Sequence, residues 1–211
     1  MYRYHYTIFI FSLLWVMTST AQDRELSQKE SKELELKVME MSKNTSSITS
    51  EFEQVKHLEF LTNDMKSSGE LTFEAPDKIK WEYKVPFQYS AIFMNEQILI
   101  NDGGKKSSLN LKQSKSFQSL NELIVKSVKG DLFDRTRFDI SYFESNKGFL
   151  VRFNPLDNSM ASIISEMILT FDKSSLRVIG LKMIESSDDY TELFFKNQSF
   201  NENIPASVFD H

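Results

Sequence analysis

The sequence predicts an α+β fold: one curved antiparallel sheet with a few helices on its concave side. Three observations predict it. From Ile48 onward, apolar residues alternate with polar ones at a period of two, and turn residues break the alternation at short intervals. Only two segments carry a convincing helical period. Strand follows strand without the βαβ alternation that a parallel sheet requires.

Residues 1–21 read as a cleaved signal peptide. Arg3 and the free amino group form a positive start, and Ile8 to Val16 is an apolar run too short to span a bilayer. Ser19-Thr20-Ala21 then places small residues where a signal peptidase needs them, so cleavage is expected before Gln22. Residues 22–211 are expected to form a single domain, exported to the periplasm and soluble there. The 211 residues include no cysteine. An exported chain could form disulfides, but this one must be held by its core. It also lacks the cysteine at the cleavage site that would receive a lipid anchor.

The first helix is expected over Asp23–Lys43, with Leu34, Val38 and Met41 on one face and Glu and Lys on the other. Asn44-Thr45-Ser46-Ser47 ends it, and Ile48–Leu58 follows as a strand. Gly69–Tyr83 carries the clearest pattern in the chain. Leu71 and Phe73 alternate with Thr72 and Glu74. After the turn at Ala75-Pro76-Asp77, Ile79, Trp81 and Tyr83 alternate with Lys78, Lys80, Glu82 and Lys84. That is a hairpin with one wet face and one aromatic face. Gln88–Met94 and Gln97–Asn101 form a further hairpin across Asn95-Glu96, and Asp102-Gly103-Gly104 turns into a short strand at Lys106–Leu111.

The second helix is expected at Ser116–Lys129, with Gly130 as its C-cap. Strands resume at Thr136–Glu144 and Phe149–Asn154, and Met160–Ile164 reads as one helical turn. A meander closes the chain at Glu166–Asp172, Leu176–Ser186 and Tyr190–Ser199.

The composition is that of an ordinary globular domain, 40% hydrophobic and 26% charged, so it can build a core. Phenylalanine is abundant at 18 residues. That suits either a cavity for chain-like ligands or a sheet packed under helices. The net charge of −5 is spread along the chain, which argues against a nucleic-acid partner.

Catalytic chemistry finds no foothold. Of three histidines, His5 lies in the signal and His211 ends the chain, so His57 alone could serve as base or ligand, and its strand context favours the surface. No nucleophile elbow, P-loop or dinucleotide fingerprint is present. Asp188-Asp189 reads as a turn, and Lys105-Lys106 as a hairpin tip. No enzyme activity, cofactor or metal is expected.

Taken in order, several motifs resemble the periplasmic outer-membrane lipoprotein carrier family, the LolA-like proteins. They are Phe52-x-Gln54-x-Lys56, then Ser68-Gly69-x-Leu71-x-Phe73-x-x-Pro76-x-x-Ile79-x-Trp81-x-Tyr83-x-x-Pro86, and the Asn95-Glu96 turn. Near the end come an apolar stretch into Phe171-Asp172, and Asp189-Tyr190-Thr191-x-Leu193-x-Phe195-x-Asn197 followed by Ile204-Pro205.

The resemblance implies an unclosed, strongly curved antiparallel β-barrel, a half-barrel, with a few helices as a lid over an apolar cavity. It implies a carrier that shuttles acyl chains of lipoproteins from inner to outer membrane, or a lipid-sensing module of the same fold that transports nothing. The partners implied are acylated lipoproteins or other lipid-like cargo and an inner-membrane lipoprotein-releasing complex, with the outer-membrane acceptor left open. A monomer is expected. On this reading Leu71, Phe73, Ile79, Trp81, Tyr83 and Phe93 line the acyl-chain cavity; for each, permanent core is the alternative. Two departures bear on the handover of cargo. Ala75 stands where the family has an arginine, and the chain stops at His211 without the family's extra C-terminal strand.

Overall fold

The computed structural model describes residues 23–110, 132–185, 187 and 189–211. The signal peptide expected at residues 1–21 and the helix expected at Ser116–Lys129 lie outside these residues.

Helix α1 spans Gln28–Lys43, a later start than its apolar period suggested. Ser27 and Glu30 set that start. The Ser27 side chain accepts from the Glu30 backbone N–H, and the Glu30 carboxylate accepts from the Ser27 backbone N–H at 2.8 Å. This capping box satisfies two of the donors a helix start leaves open. The residues before it, Arg24–Glu25, form a short strand, β1, rather than helix.

The other strands are β2 (Ser47–His57), β3 (Met65–Glu74), β4 (Lys78–Val85), β5 (Tyr89–Met94), β6 (Gln97–Asp102), β7 (Lys105–Asn110), β8 (Phe138–Glu144), β9 (Phe149–Pro155), β10 (Ile164–Phe171), β11 (Val178–Glu185) and β12 (Tyr190–Phe200). One turn of helix, α2 (Asn158–Ala161), precedes β10. It falls slightly earlier than expected, and Ile164 belongs to the strand. Strand β8 starts later than Thr136, because the Asp134 carboxylate accepts from the Thr136 backbone N–H and hydroxyl and holds that residue in a turn.

The twelve strands among the described residues join one antiparallel sheet in the order β1-β8-β9-β10-β11-β12-β2-β3-β4-β5-β6-β7. Two pairings depart from local hairpins, β1 with β8 and β12 with β2; the second is the longer. It brings the end of the chain against its beginning, over Tyr190↔His57 to Phe200↔Ile48. Strands β1 and β7 are opposite edges and do not pair, so the sheet is unclosed. The fold is the α+β class expected.

Turn chemistry sets the registers. Asn95 and Glu96 have φ of 50° and 61°, the left-handed pair that a two-residue hairpin needs, and Gly103 and Gly104 turn β6 into β7. Gly69 has a different task. A Cβ there would stand 1.8 Å from the Glu82 carbonyl oxygen and 2.9 Å from the Phe52 ring, so only glycine lets β3, β4 and Phe52 come this close.

Two apolar clusters share the sheet. The larger one joins β8–β10 to the N-terminal half of the chain: Phe138, Ile140, Tyr142, Val151, Phe153, Met167, Leu169 and Phe171 pack with Leu26, Leu34 and Val38. The smaller holds Leu71, Phe73, Ile79, Ala91, Phe93 and Ile98, from β3–β6. Among the described residues, no helix is long and apolar enough to cross a membrane.

Candidate functional site

Register decides which side chains share a face. One row runs Tyr142, Val151, Leu169, Leu181, Leu193, Gln54 and Ser67 across seven strands. The next row of that face on the β2 side holds Phe195, Phe52, Gly69, Tyr83 and Tyr89. The one beyond holds Ser50, Leu71, Trp81, Ala91 and Ile100. These rows bound an apolar pocket of about 270 Å³ between the two clusters. Its wall is aromatic and aliphatic: Leu71, Trp81, Tyr83, Tyr89, Ala91 and Phe93 on one side, and Leu169, Leu181, Met183, Leu193 and Phe195 on the other. Met41, Ser42 and Thr45, at and just beyond the C-terminal end of α1, reach its rim.

Of the six residues expected to line a cavity, Leu71, Trp81, Tyr83 and Phe93 stand in the pocket wall. Phe73 and Ile79 do not. They are 1% and 0% exposed and pack inside the smaller cluster. All six lie on one face of the hairpin, but Phe73 and Ile79 sit one row nearer the Ala75-Pro76-Asp77 turn, where Ile48, Phe93 and Ile98 close over them. Phe93 belongs to that row too and still reaches the pocket.

Aromatic rings are layered along the wall. Phe52 lies 4.7 Å from Trp81 and 5.1 Å from Tyr83, edge-on to the latter, and Phe195 meets Trp81 edge-on at 6.5 Å. Such offset and edge contacts add to simple burial and hold the rings in place. Tyr83 then stacks on the exposed Phe87 at 6.1 Å. Tyr83 and Trp81 each bring a polar group into this part of the wall. The Tyr83 hydroxyl donates to Gln54 Oε1 at 2.8 Å, and burial pushes its phenol above the ordinary tyrosine range. The Trp81 indole N–H is buried next to them without an acceptor of hydrogen-bonding geometry.

Sequence reasoning overlooked the opposite wall. Leu193 and Phe195 read only as an alternating strand, and the signal that places them is the pairing of β12 with β2, which no local pattern reveals. His57 lies away from the pocket lining, half-exposed, with Nδ1 2.8 Å from Asp64 and its ring stacked on Tyr190 at 4.9 Å.

Elsewhere a polar contact fastens α1 to the sheet. The Tyr142 hydroxyl donates to Glu35, whose carboxylate also meets Arg135 at 2.5 Å. Burial, then the neighbouring carboxylate, pushes the Tyr142 phenol well above its usual range. It therefore stays protonated and acts as the donor.

Comparison with known proteins bears on the fold. The family model described as "Outer membrane lipoprotein carrier protein LolA" matches residues 43–211. No curated protein matches the sequence. Among solved structures, the fold is similar to a DUF1329 family protein from Desulfovibrio piger, at 11% identity and a TM-score of 0.50, covering 87% of this chain and 97% of that one. It is also similar to the Pseudomonas aeruginosa MucA/MucB complex structure, at 9% identity and a TM-score of 0.52, covering 86% of this chain and 61% of that one. The LolA superfamily protein NE2245 from Nitrosomonas europaea aligns at 11% identity and a TM-score of 0.47, over 85% of this chain and 97% of that one.

Proposed function

Because the chain belongs to the LolA family of outer membrane lipoprotein carrier proteins, we propose that it is a soluble periplasmic carrier that holds the acyl chains of lipoproteins, or of lipid-like cargo, and passes them between membranes. The observation that carries the reading is the aromatic pocket, an apolar hollow in a sheet face whose other half is filled with core. Within its wall, Tyr83 and Gln54 are hydrogen-bonded to each other. The physics of the task is simple. Burying one methylene is worth about 0.8 kcal/mol, so an acyl chain of roughly 16 carbons gains on the order of 12 kcal/mol on leaving water. Such a chain needs an escort across an aqueous compartment.

A carrier must also release what it holds. Helix α1 closes one end of the pocket with Met41 and Ser42, and we assign it to a lid that yields to cargo. Leu71, Trp81, Tyr83 and Phe93 then form the contact surface for the chain, with Phe73 and Ile79 packed in the next row of the same face. Residues 1–21 act as the export signal, and an inner-membrane releasing complex supplies the cargo. With Ala75 in place of the family's arginine, the protein hands over to an acceptor that does not depend on that residue.

The test is to purify the full chain from the periplasm of its host and identify by mass spectrometry what travels with it, then add it to membranes from which a labelled lipoprotein is being released. Co-purified lipid or lipoprotein together with release into the soluble fraction supports the carrier. Bound lipid without release makes it a sensing module of the same fold. Recovery with neither sinks both.

A further inference from the structure

The pocket wall contains one charged residue among those described, and no described carboxylate pairs with it. Arg177 stands immediately before β11 in the pocket lining, where Phe200 meets it and Gln198 bonds the adjoining Val178. Its guanidinium lies over the Phe200 ring, with Cζ 3.4 Å from the ring centroid. Arg24, Arg135 and Arg152 each meet a carboxylate. Arg177 forms no such pair with a described residue. A guanidinium stacked on an aromatic ring keeps its N–H donors pointing outward in its own plane, where they match a carboxylate or phosphate two at a time. A half-buried cation beside an apolar wall is costly unless an anion meets it.

This part of the lining is also built to hold still. The Asp172 carboxylate accepts from the backbone N–H and hydroxyl groups of Ser174 and Ser175, and the Asp172 N–H donates to the Arg177 carbonyl at 2.9 Å. Leu176, at φ 56°, turns the chain sharply just before Arg177. Opposite, the register of β12 against β2 lapses between Lys196 and Ser199, with Asn197 at φ 50°. Such a bulge re-aims a side chain. Here Gln198 donates to the Val178 carbonyl at 3.0 Å.

We propose that Arg177, with Gln198 beside it, binds the anionic group of a lipid whose acyl chain runs along the pocket toward Trp81 and Tyr83. The inference rests on the carrier reading and narrows its cargo. The ligand class is a single acyl chain ending in an anion, a fatty-acid carboxylate or the phosphate of a lysophospholipid. The acyl groups of a lipoprotein anchor are esters and an amide and offer no such charge. The size agrees. At about 270 Å³ the pocket lies just under the ~300 Å³ lower end of ligand sites, which suits one chain and not several.

The test uses the full chain, stripped of bound lipid, and titrates cis-parinaric acid and its methyl ester by fluorescence. The acid is expected to bind about 10–100-fold more tightly than the ester, the range of a charge-assisted hydrogen bond in a sheltered site. In Arg177→Gln the preference disappears while the ester binds as before, and Arg177→Lys keeps part of it. Displacement of the probe by palmitate or by palmitoyl lysophosphatidate then tells carboxylate from phosphate. Equal binding of acid and ester by the unaltered protein overturns the inference and leaves the carrier standing. An Arg177→Gln protein that loses both alike overturns it too, because the arginine is then structural. If neither probe binds, this inference and the carrier reading fall together.

Discussion

The two halves of the sheet are made of similar residues and end in different states. In the β8–β10 half, the inner face is sealed. Val151 and Phe153 are fully buried under Leu34 and Val38 of α1, and Glu35 adds a polar fastening to Tyr142. In the β3–β6 half, the same alternation produces a pocket wall where Trp81 and Tyr83 stay half-exposed and layered. The difference lies in the cover and not in the sheet. Among the described residues, those that meet the face of α1 become core, and those beyond its C-terminal end line a hollow, except where the smaller cluster closes on itself around Phe73 and Ile79. An apolar strand face is therefore a site only where its partner element stops.

This contrast can be broken most decisively in the sealed half. Phe153→Ala removes a ring from a fully buried position and is expected to cost about 3–5 kcal/mol, read from the midpoint of urea unfolding. In the other half, Phe73→Asp places a charge in packed core and should prevent folding, whereas Trp81→Asp puts it in the pocket wall. The Trp81 variant should keep the circular dichroism spectrum of the parent and lose acyl-chain binding. Equal loss of fold in both variants would erase the distinction between wall and core.

Gly69→Ala probes the seam between the clusters. The added methyl group overlaps the Glu82 carbonyl, so β4 must move. A cost of about 1–3 kcal/mol is expected, with weaker binding because Tyr83 and Trp81 ride on that strand. Tyr142→Phe tests the fastening of α1. It removes a donor to a carboxylate that retains Arg135, and about 1–2 kcal/mol should be lost without any change in the pocket wall. If the Tyr142 variant binds acyl chains more readily as it loses stability, α1 acts as a lid.

Much of this was legible in the chain itself, for identifiable reasons. Hairpins announce themselves through turn residues with special backbone needs, and Asn95-Glu96 and Gly103-Gly104 were found that way. The wet and aromatic faces of β3 and β4 follow from a period of two, which does not depend on the rest of the fold. Depth along a strand is different. Phe73 and Trp81 obey the same alternation, yet one is core and the other wall, because the row in which each lies meets different strands. Arg177 was invisible as well. Its importance depends on Phe200, brought against it by the fold, and on having no carboxylate partner among the described residues, unlike Arg24, Arg135 and Arg152.

The start of α1 offers the mildest test, because it can be read by pH alone. The Arg24 hydrogen bond, and then the Ser27 hydroxyl and backbone N–H, hold the Glu30 carboxyl down at about 2, against an ordinary 4.5. A carboxyl depressed in the folded state contributes stability fully above its unfolded value and loses that contribution as pH falls through its folded one. The anchor joining β1 to α1 should therefore weaken between about pH 4.5 and 2. All three groups are solvent-exposed, so the effect is small and salt shrinks it further. In Glu30→Gln, stability should fall slightly at neutral pH and lose this part of its acid dependence. Other carboxylates titrate in the same window, so the comparison is of the two pH profiles and not of either alone. If the sealed half owes its seal to α1, acid should loosen that half first, and Phe138 and Phe153 should lose amide protection before Ile79 and Ile98 do.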